Sequence, residues 1–164
     1  MAKKAKKRQL DMIINFVVTL LGLAAIVMMF LPNVGIKDTD YTFTGFEIAF
    51  GCKRTVLMEF DAFNFSFMNL LTFILAAVGV VFTVLGALGK GSKFAAFIAA
   101  GAFIVAGVFF FLSISFCIPN DDIKRIISVA GDYKNYLVLC VGAIVGGVVS
   151  LLAGIAQLGR VFLK

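Results

Sequence analysis

The most chemically reactive side chains in this sequence are those of three cysteines, Cys52, Cys117 and Cys140. Disulfide bonding, metal ligation and nucleophilic catalysis are the uses to consider. The chain has no CxxC motif and no histidine, so metal ligation is poorly supported and no imidazole could activate Cys52, the candidate nucleophile in a loop. Two alternatives stay open: a Cys52–Cys117 disulfide that pins a loop to the helices, or thiols that remain reduced.

Other chemical motifs are missing from the sequence. "GKGSK", residues 89–93, lacks the Gly-x4-Gly-Lys-Ser/Thr spacing of a phosphate-binding loop, so it predicts a turn. The long apolar runs contain no Asp, Glu, Lys or Arg, which proton relays and ion pathways use inside a bilayer. We therefore expect neither a cofactor nor enzymatic activity.

Long apolar runs are the elements that must position these residues. The 164-residue chain is 62% hydrophobic, and charge-free runs cover residues 12–36, 62–89, 94–120 and 135–159. Each run exceeds the roughly 20 residues that a helix needs to cross a bilayer. They predict spans over about 10–31, 65–88, 94–118 and 135–159, with outer loops at 33–64 and 119–134. We expect residues 1–164 to form a single four-span membrane domain.

The net charge of +6 is unevenly distributed between the two sides of the predicted membrane domain. The side with both termini carries nine basic residues and Asp11, whereas the other side carries six basic and eight acidic residues. Because basic residues are retained on the cytoplasmic side, we expect a plasma (cytoplasmic) membrane protein with both termini in the cytoplasm. The basic residues 3–8 would contact anionic lipid, and no nucleic acid partner is expected.

Each predicted span carries small or polar residues at helical spacings of three or four. Lipid tails are as apolar as leucine, so close backbone approach and interhelical hydrogen bonds must hold the spans together. We expect a helix-packing seam, in which Asn15, Asn69 and Gln157 make hydrogen bonds between helices; the span 4 glycines could instead mediate self-association. The main seam residues are Asn69, Thr72, Ala76, Gly79, Thr83 and Gly86 in span 2 and Gly142, Gly146, Ser150 and Gly154 in span 4.

The first outer loop is strand-like. Alternating residues over 42–50 and 55–60 predict a β-hairpin with its turn at "GCKR", so Gly51, Lys53 and Arg54 would form an outer recognition surface. Phe60, Phe63, Phe65 and Phe67 are expected to plug the space between hairpin and helices. In the second outer loop, residues 120–131 predict a short amphipathic helix.

The predicted fold class is therefore an all-α integral membrane protein: a four-helix transmembrane bundle with an extracytoplasmic β-hairpin and a short amphipathic helix. This layout resembles the claudin-type tetraspan layout in topology. "YTFTGFEIAFG" followed by "FSFMNLLTFIL" is also similar to small, uncharacterised bacterial four-span membrane proteins. The claudin resemblance implies strands over a left-handed bundle and lateral association. The chain has no tryptophan and a single cysteine in the first outer loop, so the claudin loop motif is absent.

The predicted function is that of a non-enzymatic membrane scaffold or accessory protein. It would act through lateral helix packing and the outer hairpin, and its partners would be membrane lipid and either another membrane protein or a second copy. The alternative is a subunit of an oligomeric channel or transporter, with a pore between protomers lined by Asn69, Thr72 and Thr83.

Overall fold

Four long helices form the body of the protein. The computed structural model describes residues 2–55, 59–89, 91–121, 124 and 133–162. The long helices are α1 (Ala2–Val27, continued by a 3-10 turn at Met28–Phe30), α3 (Phe67–Ala87), α4 (Lys93–Phe111) and α6 (Val141–Phe162), and the short helices are α2 (Gly45–Phe50) and α5 (Ser113–Phe116). All four long helices are long and apolar enough to cross a membrane, which suggests a multi-pass membrane protein.

The four long helices pack in a ring, with α1 against α3, α3 against α4, α4 against α6 and α6 against α1. Phe103 of α4 fills the middle of this ring and is fully buried. Gly22 and Gly79 leave room for its ring, because a Cβ at either position would come within 2.7 Å of it. Hydroxyls of Ser66 and Ser92 accept bonds from the first-turn amides of α3 and α4, respectively, and so fix where these helices begin.

A small folded cap covers one end of the bundle. Its sheet has the order β2-β1-β5, formed antiparallel by β2 (Thr42–Thr44), β1 (Pro32–Ile36) and β5 (Leu137–Leu139). A separate hairpin pairs β3 (Cys52–Thr55) with β4 (Glu59–Phe63), also antiparallel. Strands from the α1–α3 connection and from the α4–α6 connection therefore meet over the helix ends.

The strand predicted over residues 42–50 is wrong beyond Thr44. Residues Gly45–Phe50 form helix α2, because Thr44 and Glu47 make a capping box in which each side chain bonds the other residue's backbone amide. The predicted turn at "GCKR" is also wrong, since Cys52–Thr55 are strand β3 and Gly51 joins α2 to it with a φ of 85°.

Two other boundaries differ from the sequence prediction. Span 4 begins at Val141 rather than at residue 135, because Leu137–Leu139 pair with β1 instead of entering the helix. Span 3 ends at Phe111 as a continuous helix, and Ser113–Phe116 form the separate short helix α5. Most of the amphipathic helix predicted over residues 120–131 lies outside the described residues.

Candidate functional site

The cap is held together by its own hydrophobic core. Phe43 of β2 and Phe63 of β4 meet edge to face with ring centroids 4.8 Å apart, so the sheet and the hairpin share one interior. The buried residues of this core come from both loops and from α2: Val34, Phe43, Ile48, Ala62, Phe63, Cys117 and Leu137. The hairpin is thus a docked element, which agrees with the marginal stability of isolated hairpins in water.

Backbone bonds fasten the hairpin to the segment that follows α5. Asn64 N donates to Ile118 O at 2.8 Å, and Asn120 N donates to Ala62 O at 3.1 Å. Ser66 adds a side-chain link, because its hydroxyl donates to Phe116 O at 2.7 Å. These bonds fix the hairpin relative to α3 and α4.

Asn33 joins the cap to the first and last helices. Its side-chain amide donates to Met28 O at 3.2 Å, and its backbone carbonyl accepts from Cys140 N at 2.9 Å. Gly45 and Gly142 pack directly on the Asn33 side chain, and a Cβ at Gly142 would lie 2.5 Å from its Oδ1. The cap is therefore seated on the bundle by close backbone contacts.

Cys52 and Cys117 lie together in the cap core but are not disulfide-bonded. Asn69 Nδ2 donates to Cys117 Sγ at 3.8 Å. Burial raises the pKa of the Cys117 thiol from 9.0 to about 12, so this thiol stays protonated and chemically quiet near neutral pH. Among the described residues, no three His, Cys, Asp or Glu side chains come together to hold a metal ion.

The predicted recognition residues lie beside an open cleft of about 300 Å³. Gly51 and Lys53 line it, whereas Arg54 is placed in β3 opposite Phe60, and its side chain is outside the described residues. The other lining residues are Phe50, Cys52, Phe63, Asn64 and Phe65. Gly51 and Lys53 therefore lie together at the start of β3, and they are not part of the turn of the hairpin.

The seam residues all lie inside the bundle. Those of α3 (Asn69, Thr72, Ala76, Gly79, Thr83 and Gly86) and of α6 (Gly142, Gly146, Ser150 and Gly154) are buried. Thr19 donates to Thr83 at 3.0 Å between α1 and α3, and Gly146 and Gly154 pack on Phe110 and Ile104 of α4. The α6 seam glycines therefore contact their own chain.

A buried polar cluster lies at the end of the bundle opposite the cap. The predicted bond between helices is confirmed for Asn15 and Gln157, whereas the burial of Arg160 beside them was missed. Arg160 is only 4% exposed, and its Nη1 donates to Asn15 Oδ1 at 2.8 Å. Gln157 Nε2 donates to the same oxygen at 3.2 Å, and Asp11 Oδ1 lies 3.6 Å from Arg160 Nε. The i, i+3 spacing of Gln157 and Arg160, which puts both on one helix face, was the available signal.

The phenylalanine plug is only partly correct. Phe63 is buried in the cap core, but Phe65 and Phe67 are exposed on the outside of the protein. Phe65 instead stacks near Phe50 of α2, with ring centroids 6.4 Å apart, and Phe50 lies 4.7 Å from Phe46. We call Phe46, Phe50 and Phe65 the aromatic ledge.

No known protein family, curated protein or solved structure matches the chain. What the fold supports directly is the class of protein. Four apolar helices of membrane-spanning length suggest a multi-pass membrane protein that is mostly helical and carries a small antiparallel sheet.

Proposed function

We propose that the protein is a non-enzymatic membrane scaffold or accessory protein that presents its cap to a partner, either another membrane protein or a second copy. The observation that carries this proposal is the shared core of the cap, in which Phe43, Phe63 and Leu137 from separate segments are buried together. A cap built in this way holds its surface in one shape. Such preorganisation lowers the entropic cost of binding.

The composition of the helix surfaces also supports a role in packing. In α3, α4 and α6, the large exposed side chains between the terminal turns are apolar, such as Ile74, Val81, Val105 and Ile155. The centre of the ring is filled by Phe103. These features fit a helix bundle that lies in lipid and carries the cap at one end.

On this proposal the cap faces the extracytoplasmic side and both termini face the cytoplasm. The basis is the charge distribution, since the N-terminal residues 3–8 hold five basic side chains (Lys3, Lys4, Lys6, Lys7 and Arg8). Cysteine labelling with a membrane-impermeant maleimide on intact cells tests this orientation, using a cysteine introduced at Thr39 against one introduced at Phe162.

The partner experiment compares two charge reversals in the cap. Protein extracted in mild detergent should show a stoichiometric complex in native mass spectrometry, and Lys53→Glu at the hairpin should weaken that complex. Lys37→Glu is the matched control, since Lys37 is also exposed but follows β1 in the other sheet. A protein that stays monomeric after mild crosslinking would overturn the proposal.

The alternative, a subunit of an oligomeric channel or transporter, needs polar residues between protomers. Asn69, Thr72 and Thr83 are buried within one copy, so a pore lined by them would require the helices to repack. Liposome flux separates the two functions. Solute leakage above that of empty vesicles would favour the channel, and leakage equal to theirs would remove it.

A further inference from the structure

Helix α2 has a buried face and a purely aromatic exposed face. Gly45, Ile48 and Ala49 are buried against the cap and bundle. Phe46 and Phe50, one turn apart, are 47% and 46% exposed, and Phe65 beside them is 50% exposed. The aromatic ledge is thus a row of three half-exposed phenylalanines on the outside of the protein.

The single acidic residue of α2 is held away from this face. Glu47 Oε2 accepts bonds from the backbone amide of Thr44 at 2.8 Å and from its hydroxyl at 3.0 Å. The carboxylate is thereby engaged at the start of its own helix. The ledge is left with apolar side chains.

Helix α2 lies beside the bundle, within the length of its helices. A Cβ at Gly45 would meet the ring of Phe73, which belongs to the second turn of α3, at 2.6 Å and the Cα of Met29 at 3.0 Å. At the other end of α2, Ala49 O accepts a bond from Ser66 N at 2.9 Å. The helix is therefore level with the cap-end turns of α1 and α3.

The ledge continues into the apolar surface of α3. Phe67 and Met68, which follow Phe65 along the chain, are 56% and 46% exposed, and Ile74 and Val81 are exposed further along the helix. An exposed apolar surface that runs without a polar break from a spanning helix onto a neighbouring short helix can enter the boundary between headgroups and acyl chains, where apolar and aromatic side chains are buried. Exposed apolar patches of this kind mark interaction surfaces.

We propose that the aromatic ledge binds the lipid surface of the bilayer, with α2 lying at the boundary between headgroups and acyl chains in the leaflet at the cap end. The ledge would then fix the height and tilt of the cap relative to the membrane. The 300 Å³ cleft lined by Phe50 and Phe65 would open at the headgroup level. This inference goes beyond the proposed function, since it holds whether or not the cap binds a partner.

The absence of tryptophan makes the test direct, because one introduced tryptophan is the only such fluorophore. The full chain carrying Phe50→Trp is reconstituted in phosphatidylcholine–phosphatidylglycerol vesicles. Quenching by bromine-labelled acyl chains is compared with quenching by iodide present on both sides of the membrane. We expect several-fold stronger quenching by the lipid than by iodide, and emission shifted to the blue.

Two control positions bracket this result. Thr39→Trp, in the exposed turn before β2, should be quenched by iodide alone. Val81→Trp, exposed about two turns before the end of α3, should be quenched by lipid alone. Phe46→Trp and Phe65→Trp repeat the measurement if Phe50→Trp does not fold. Quenching of the ledge variants like that of Thr39→Trp would overturn the inference. Protection from both quenchers would overturn it too, because a protein surface would then cover the ledge.

Discussion

Arg160 in the last long helix donates a 2.8 Å hydrogen bond to Asn15 in the first, across 145 positions of sequence. Asn15 Oδ1 also accepts from Gln157, so one amide oxygen receives two bonds from α6. A buried guanidinium needs such acceptors, because an uncompensated buried charge is strongly destabilising. This pair closes the ring of helices at the end opposite the cap.

Asn15→Leu should destabilise the protein by about 2–3 kcal/mol, because it removes an acceptor from a charged and buried donor. The measurement is unfolding in mixed detergent micelles followed by circular dichroism. Thr19→Val in the same helix is the control, since it removes only neutral hydroxyl contacts, with Thr83 and with the Asn15 carbonyl, and should cost about 0.6 kcal/mol. Equal losses of unfolding free energy in the two variants would show that the bond to Arg160 stabilises the protein no more than a neutral hydrogen bond does.

Gly79→Ala should destabilise the bundle by about 1–3 kcal/mol, since the new methyl group would overlap the Phe103 ring. Gly101→Ala is the matched control in α4. A Cβ there meets no atom within 4 Å, and alanine favours helix over glycine by up to about 1 kcal/mol. Thermal unfolding of both variants in the same detergent checks the prediction, which fails if Gly79→Ala is as stable as Gly101→Ala.

Gly142→Ala should loosen the cap from the bundle. The added Cβ would lie 2.7 Å from Pro32 O, a backbone atom that cannot move aside easily, so we expect a loss of about 1–3 kcal/mol. Limited proteolysis should show faster cleavage within residues 33–64, the first loop of the cap. Gly159→Ala in the same helix has no neighbour within 4 Å and should cleave like the parent protein. Unchanged cleavage in Gly142→Ala would contradict this account of the junction.

The contribution of the Cys117 thiol to stability should decrease as the pH rises. Burial raises its pKa from 9.0 to about 12, so the folded protein keeps a proton that the unfolded chain releases. The stability contributed by this group is full below pH 9.0 and is lost as the pH rises from there toward about 12. Unfolding measured across this range checks it, with Cys117→Ala as the control that should lack this pH-dependent component.

Labelling gives an independent measure of the same burial. In a variant that keeps only Cys117, a maleimide should react far more slowly with folded than with unfolded protein at pH 8, because burial shields the thiol and raises its pKa, which lowers the fraction of reactive thiolate. Equal labelling rates in the two states would show that the thiol is accessible.

The sequence predicted the four spans because charge-free runs of membrane-spanning length leave few other structures. It misplaced the hairpin because Phe46, Ile48 and Phe50 alternate as strand residues do. The correct signal was also present, since Thr44 and Glu47 have the spacing of a capping box. The local sequence pattern alone could not decide between a strand, indicated by the alternation, and a helix, indicated by the capping box.

The other features that the sequence prediction did not find depend on contacts between distant segments of the chain. Leu137–Leu139 are as apolar as the helix that follows, and only their pairing with β1 makes them a strand. Arg160 lies one residue beyond the last charge-free run, so it was counted among the nine basic residues on the side of both termini. Its burial follows from the position of Asn15 on α1, which only the folded arrangement supplies.

The central claim, that the cap is a surface for a protein partner, is tested most directly by photocrosslinking in living cells. A photoreactive amino acid replaces Lys53 at the hairpin or Ile155 on the exposed apolar side of α6. We predict that the Lys53 position gives one discrete adduct, identified by mass spectrometry as a single protein or a second copy, and that Ile155 gives none of the same mass. The absence of any discrete adduct from Lys53, together with a monomeric native mass, would contradict the claim.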